Sequence, residues 1–362
     1  MKKIILLSLL FLSLSFTNSF ATTITKYVDT VAGSNTGGSS GGTGTGASAY
    51  ATLAYAITQN AQNLVTNTSN LIINCAGNGT ADTSAVSITG YTTSSTYNIS
   101  IVGNATSGVY DTTKYVLKVE PGNAITVGAG NVSISHLQIA RATTATGDGY
   151  GITDTGGSDV TLTFFDNIIR MASSNGGSYH NTAISMNVLG DGSLIYNNAI
   201  YSYVGGTGIY PAANHSYYNV YIYNNTLYGA SGTTGISLGS GNGTYTVKNN
   251  ISNNNSTDYS GTFNTHATNI SKDSTSPDGS SYQTTNGTAT FVSTTTGSEN
   301  FNLSASDTSA IGRGTSLSGT FTTDITGATR TTWDIGAFYY AAAAPSVIST
   351  INNATINNAT IN

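Results

Sequence analysis

The stretch "VYIYNNTLYGASGTTGISLGSGNGTYTVKNN", Val220 to Asn250, holds an apolar pair followed by twin asparagines twice, at Ile222–Asn225 and again at Val247–Asn250. The same unit recurs upstream as "SLIYNNAIYS" from Ser193, "LTFFDNIIRM" from Leu162 and "VSISHLQIAR" from Val132. Aligning Ile134, Phe164, Ile195, Ile222 and Val247 gives spacings of 30, 31, 27 and 25 residues. A second marker interleaves with the first. Ile152, Ile184, Ile209 and Ile236, in "GYGITD", "NTAISM", "GTGIYP" and "TTGISL", are 32, 25 and 27 apart. Two independent markers therefore keep nearly one irregular period.

A period in the twenties to low thirties, built of short β-rich segments with polar turns, defines a solenoid whose repeats each form one coil. Regularly spaced Leu, needed by leucine-rich repeats, is absent, and the period is too short for propeller blades. The pattern predicts an all-β right-handed parallel β-helix with apolar columns inside. Asn accepts left-handed backbone better than most residues, and stacked amides can bond along the axis, so the paired asparagines read as turn residues. "VSITGY", "NISIVGN" and "YVLKVEPGN" read as earlier rungs with less regular spacing.

Charge is scarce: 7% of the 362 residues are Asp, Glu, Lys or Arg, against about 25% in a typical domain. The formal net charge is -5 and no basic stripe is visible, which argues against a nucleic-acid partner. Residues 1–21 read as a secretory signal: Lys2 and Lys3, the apolar run "IILLSLLFLSLSF", and small residues ending at Ala21. Its removal changes the charge from -5 to -7, leaves no transmembrane span, and places the chain outside the cell. Cys75 is the single cysteine, so an internal disulfide is impossible and Cys75 reads as a small core residue.

The ends of the chain carry a resemblance. "KYVDTVAGSNTGGSSGGTGTGASAYATLAYAIT", Lys26 to Thr58, is similar to the opening segment of secreted bacterial pectate-lyase-like β-helix proteins: a strand, a Gly-rich loop, then Tyr50, Thr52, Leu53 and Ala56 on a short capping helix. "ENFNLSASDTSAIGRG" (Glu299–Gly314), "DITGATR" (Asp324–Arg330) and "WDIGAFYY" (Trp333–Tyr340) resemble that group's closing motif, of the choice-of-anchor type. The resemblance implies a pectin-lyase-like solenoid and export; the group contains lyases, hydrolases and adhesins, so it implies no single activity. The expected organisation is a signal at 1–21, an opening segment at 22–69, coils over 70–260, last coils and closing motif over 261–340, and a linker-like tail from 341 to 362. Asp324, Arg330 and Asp334 are expected to form an ion-pair cluster pinning the last loops.

Two constellations bear on function. Arg141 and Arg170 lie on neighbouring coils near His136, Asp166 and Asp191, the densest ionisable cluster in the repeats. Asp166, Arg170 and Arg141 are therefore the catalytic candidates for a polysaccharide lyase or hydrolase. Asp166 and His136 also share the column of Asn197, Asn224 and Asn249, where a turn residue is the simpler role. A glycosidase pair would have to come from Asp148, Asp154, Asp159, Asp166 and Asp191, because Glu120 and Glu299 lie outside the aligned repeats. The four histidines, His136, His180, His215 and His266, lack metal spacing; no cofactor is implied, and Ca2+ in the Gly-rich loops has no specific motif behind it.

Aromatic placement is the second constellation. The alignment stacks Phe165, Tyr196 and Tyr223 in one column, and Arg170, Tyr201 and Tyr228 in another. Facing outward on coils about 4.8 Å apart, these rings would suit sugar faces and hydroxyls. They are the ligand-binding candidates for a polysaccharide or surface glycan. The reading that follows is an exported carbohydrate-binding or adhesive β-helix, with a polysaccharide lyase or hydrolase, or a structural envelope protein, as alternatives.

Overall fold

The structure is a computed structural model and describes residues 21–342 except 37, 39–40, 78, 142–148, 156–160, 172–180, 188, 213–217 and 240–242. The proposed signal, the tail from 343, and Asp148, Asp159, His180 and His215 lie outside the described residues.

Three parallel sheets of nine, seven and seven strands run side by side along the chain, each strand paired with its counterpart one coil away. This is a parallel β-helix solenoid. In one coil, Leu162–Phe165 belongs to the first sheet, Ile168–Arg170 to the second and Asn181–Met186 to the third. The register matches the sequence markers: Ile134, Phe164, Ile195, Ile222 and Val247 are successive partners in the first sheet. Ile152, Ile184, Ile209 and Ile236 are successive partners in the third. Alternation explains why, since a one-residue slip would turn these buried side chains outward. The early rungs are one strand from each sheet: Val86–Ile88 in the third, Ile99–Val102 in the first and Val116–Lys118 in the second.

The opening segment supplies both an edge and a lid. Thr22–Asp29 pairs in parallel with Ser69–Ala76 as the outermost strand of the first sheet. Helix Leu53–Gln59 is capped by Thr52, whose Oγ1 accepts from Tyr55 N at 3.3 Å. It buries Leu53, Ala56 and Ile57 next to Val86–Ile88, covering apolar columns that an open solenoid would leave wet.

The twin asparagines occupy the two-residue turn between the first and second sheets, and each of the pair has its own task. The first takes positive φ: His136 55°, Asp166 56°, Asn197 52°, Asn224 48° and Asn249 58°. The second points inward and builds a ladder. Asn167, Asn198, Asn225 and Asn250 each donate through Nδ2 to the Oδ1 of the next coil's asparagine, ending at Asn269, over 2.9–3.0 Å. Those oxygens, and that of Asn167 at the head of the ladder, also each accept a main-chain N–H from the previous coil, beginning with Leu137 N to Asn167 Oδ1. Amide dipoles aligned this way need an acceptor at the far end. Asp278 provides it, its Oδ2 taking Asn269 N at 2.6 Å and Nδ2 at 2.8 Å, while its Oδ1 meets His266 Nδ1 at 2.7 Å.

The closing motif does more than stop the last coil, which is where the structure departs from expectation. Residues 291–340 fold back along the flank of the solenoid. Asn224 Nδ2 donates to the carbonyls of Asp334 and Gly336, Asn249 Nδ2 to that of Thr315, and Asn197 Nδ2 to that of Thr323. Phe301, Ile325, Ala337 and Phe338 pack on Ile168, Ala199 and Tyr201 of the second sheet. The cause is legible in that sheet: Ile168 and Ala199 are apolar on the face turned away from the core, and so demand cover. Arg330 is held by the carbonyls of Gly336 (3.1 Å) and Ala337 (3.0 Å) and by Asn197 Oδ1 (3.2 Å), rather than by direct ion pairs with Asp324 and Asp334. Those carboxylates instead accept loop amides: Asp324 from Thr326, Ala328 and Tyr339, and Asp334 from Gly312 and Tyr340. Burial pulls the Arg330 guanidinium down to about 10, opposed by the charges of Asp324, Asp334 and Asp166.

Candidate functional site

Both aromatic columns face away from the core as the alignment requires, but the closing segment covers much of each. Phe165 stacks on Tyr196 with centroids 4.9 Å apart, and Tyr196 stacks in turn on Phe321 at 4.6 Å. Tyr223 packs with Leu317 and Phe321. On the second sheet, Tyr201 lies 5.0 Å from Phe301, and Tyr228 lies 5.4 Å from Phe301 and 6.2 Å from Phe291. Tyr201 is 2% exposed and Tyr223 6%, so neither offers a ring to a sugar, contrary to the expected role. The outward apolar strip attracted the protein's own phenylalanines. Phe165, Tyr196 and Tyr228 are half-buried.

The catalytic candidates separate into two places. Asp166 lies on the turn, its Oδ2 3.6 Å from His136 Nε2, with Oδ1 buried and without a hydrogen-bond partner. Burial pushes its carboxyl up to about 7, with Asp324 adding to the rise and Asn197 and Arg330 opposing it. Burial also lowers His136. Asp191 bonds Asn219 N at 2.7 Å on an exposed loop before the first sheet and joins neither group. Arg170 and Arg141, by contrast, share one groove on the outer face of the second sheet.

That groove is two adjoining cavities of about 710 and 380 Å³, both lined by Tyr110, Thr112 and Arg170. It opens where the cover of the closing segment ends, because Arg170 is the register partner of the covered Tyr201 and of Ala140. One wall is the loop after Ile99–Val102. Buried Gln138 pins it, accepting from Asp111 N at 2.6 Å and donating to the carbonyls of Asp111 (2.8 Å) and Tyr115 (3.2 Å). The other wall is the turn of the antiparallel pair Phe291–Ser293 and Asn300–Leu303, which carries Glu299.

Within the groove Arg170 lies over the Tyr110 ring, 5.6 Å from its centroid, and its Nη2 stands 3.8 Å from Glu299 Oε1. Two buried polar atoms of the groove's lining residues lack hydrogen-bond partners, Arg170 Nε and Glu299 Oε1, as does Tyr201 Oη of the neighbouring coil, which lies outside the lining. Burial raises the Tyr201 phenol, with the Glu299 charge adding to the effect, so its proton stays on. Burial likewise raises Tyr110, against the pull of Arg170. Asp111, on the exposed rim, is lowered by hydrogen bonds from the Thr113 hydroxyl and amide and remains a carboxylate. The arrangement is an open, largely polar slot offering a planar cation, a phenol and two carboxylates, which is the chemistry of polar-ligand recognition.

Sequence reasoning placed Arg170 and Arg141 but missed Tyr110, Asp111 and Glu299. Glu299 carried a usable signal, being one of only two glutamates in the chain. Tyr110 and Asp111 sit in a loop without periodicity and gave none. Among the described residues no group of three or more His, Cys, Asp or Glu is placed to hold a metal ion, and no helix is long and apolar enough to cross a membrane. Comparison with protein-family models, curated proteins and solved structures found no match.

Proposed function

We propose that this chain is an exported carbohydrate-binding β-helix that holds a glycan in the groove between Tyr110, Arg170 and Glu299, and that it belongs with the secreted pectate-lyase-like proteins its ends resemble. The observation that carries the reading is the groove itself, where buried and unpartnered polar atoms meet an aromatic ring in a cavity large enough for a ligand. Burying such atoms without partners costs about 1–3 kcal/mol each, which a ligand bearing hydroxyls would recover. Aromatic rings and convergent hydrogen-bonding groups are what a sugar's apolar face and hydroxyl rim need.

The competing reading is a polysaccharide lyase or glycoside hydrolase, favoured by Asp111 and Glu299 lining the same 710 Å³ cavity as Arg170. A glycan-array screen of the chain from residue 22 onward, with product analysis on each polysaccharide bound, separates the two. Binding without products, lost in Tyr110→Ala, supports the carbohydrate-binding reading. Released reducing ends or unsaturated products make it an enzyme, and silence on every glycan leaves a structural role.

A further inference from the structure

We propose that residues 315–340 are a strap over the ring column of the first sheet whose hold on the coils responds to pH through Asp166, seated when that carboxyl is protonated and loosened when it is charged.

The outer residues of the twin-asparagine turns form one row beneath the strap, and the chemistry of that row changes along it. In three coils it offers amides: Asn197 Nδ2 donates to Thr323 O at 2.9 Å, Asn224 Nδ2 to Asp334 O and Gly336 O at 2.9 Å each, and Asn249 Nδ2 to Thr315 O at 2.7 Å. The next two rungs are Asp166 and His136, which are ionisable. Asp166 Oδ1 and His136 Nδ1 are buried without hydrogen-bond partners, and Asp166 Oδ2 stands 3.6 Å from His136 Nε2, beyond good hydrogen-bond reach. The Asp166 side chain is only 6% exposed. A carboxyl so placed fits the row while neutral, and its charge, once formed, has neither water nor a full set of donors.

The groups facing Asp166 do not cancel that charge. They are His136 on the preceding turn, Tyr196 on the next coil, and Asp324 and Arg330 on the strap. Arg330 is engaged by Asn197 Oδ1, Gly336 O and Ala337 O and is shared with Asp324 and Asp334. Burial, with Asp324 adding to it, sets the Asp166 carboxyl at about 7, against 3.8 when free. A seated strap therefore holds the proton more tightly than an open one, and opening grows by up to about tenfold per pH unit from about pH 4 to 7, then levels off. Asp334, raised by burial, acts in the same sense. His136, lowered by burial, opposes it below its ordinary 6.5, but its side chain is 23% exposed, so the deeper carboxyl dominates.

The strap is able to leave without unravelling the coils. Among the described residues, no strand of 315–340 joins the three sheets, and the Thr323–Thr329 bridge lies within the strap itself. Its remaining polar links are Gly336 N to Asn249 O at 2.7 Å, Ala337 N to Thr226 Oγ1 at 2.9 Å and Thr315 N to Asn249 Oδ1 at 2.8 Å. Its turn is closed internally, with Asp324 Oδ1 accepting Thr326 N and Ala328 N. Opening uncovers Tyr196 and Tyr223, on which Phe321 and Leu317 now pack. The ring column is thus shut in acid and more accessible toward neutral pH.

The test is native-state hydrogen exchange by mass spectrometry on the chain from residue 22 and on Asp166→Asn, from pH 4.5 to 8.5. Comparing the two chains at each pH cancels the pH dependence of the amide chemistry. The expected result is that exchange of residues 315–340 in the parent, relative to Asp166→Asn, rises about 10- to 100-fold between pH 5 and 7 and stays level above, while strands Leu162–Phe165 and Asn219–Tyr223 keep a constant ratio. A ratio for 315–340 that does not change with pH overturns the role of Asp166. A ratio that changes equally in the coil strands overturns the strap as a separate unit, since the carboxyl then acts on the whole fold. Far-UV circular dichroism at pH 5 checks that the variant is folded; if it is not, exchange in the parent alone, corrected for the known chemical rates, is read against the same two outcomes.

Discussion

Replacing Asn225 by leucine should cost this solenoid far more than the similar volume of the two side chains suggests. Asn225 is fully buried, and its Oδ1 accepts Asn198 N at 3.1 Å and Asn198 Nδ2 at 2.9 Å. Its own Nδ2 reaches Ile195 O at 2.9 Å, Tyr223 O at 3.1 Å and Asn250 Oδ1 at 3.0 Å. In Asn225→Leu the Asn198 N–H and the side-chain bond to Ile195 O lose their partner with no water in reach. At about 1–3 kcal/mol for each stranded group the loss is about 2–6 kcal/mol. Burial of the leucine returns about 1.5–3 kcal/mol, so a net loss of about 0.5–3 kcal/mol is expected, against a typical total of about 5–15 kcal/mol. Leu137 already occupies this column, but at its head, where its N–H is donated to Asn167 Oδ1 and it serves no asparagine before it. Guanidinium unfolding followed by far-UV circular dichroism gives the cost, and amide exchange at Asn198 localises it. A change below about 0.5 kcal/mol, with Asn198 still protected, would refute the ladder as a source of stability.

Asp166→Asn tests the buried turn carboxyl. Its folded value of about 7 lies above the ordinary 3.8, so the native state holds the proton more tightly and stability drops as pH rises from about 4 through 7, by up to about 1.4 kcal/mol per pH unit. The variant should match the parent near pH 4 and exceed it at pH 8; His136, lowered by burial, acts in the opposite sense below its ordinary 6.5, so the difference between the two stability curves is the quantity to compare. Gly336→Ala should detach the closing segment, because Gly336 has φ 91° and a Cβ there would stand 2.6 Å from Ile251 Cδ1 and 2.7 Å from Thr226 Oγ1. Faster proteolysis near residues 310–340, with the coils still β-rich by circular dichroism, is the expected reading, and an unchanged cleavage rate would count against it. Phe321→Ala should uncover Tyr196 and Tyr223 and cost about 2–4 kcal/mol locally, measured as lost amide protection in residues 315–340.

What the sequence revealed follows from how each part is stabilised. Coil register was legible because inward Ile, Phe and Val must recur at one point per coil, and Phe164 could pair with nothing but Ile134 and Ile195 without exposing its ring. The role of the asparagines was half legible: positive φ could be inferred for Asn197 and Asn224, but the inward amide chain ending at Asp278 depends on turns meeting across coils. The closing segment was the least legible. Phe291, Phe301, Phe321 and Phe338 follow no period, and their partners lie far back in the chain on a face that reads as open to solvent. That fold-back explains why Tyr201 and Tyr223 were misread as sugar platforms. The same fold-back brings Glu299 to Arg170 and so completes the groove, which no local spacing encodes.

The most direct test of the account is a crystal structure of the chain from residue 22 soaked with the glycan it binds best. The account predicts sugar density over the Tyr110 ring with oxygens within hydrogen-bond reach of Arg170 Nε. Density along Phe165 and the first sheet, with the Tyr110–Arg170 groove filled only by water, would contradict it.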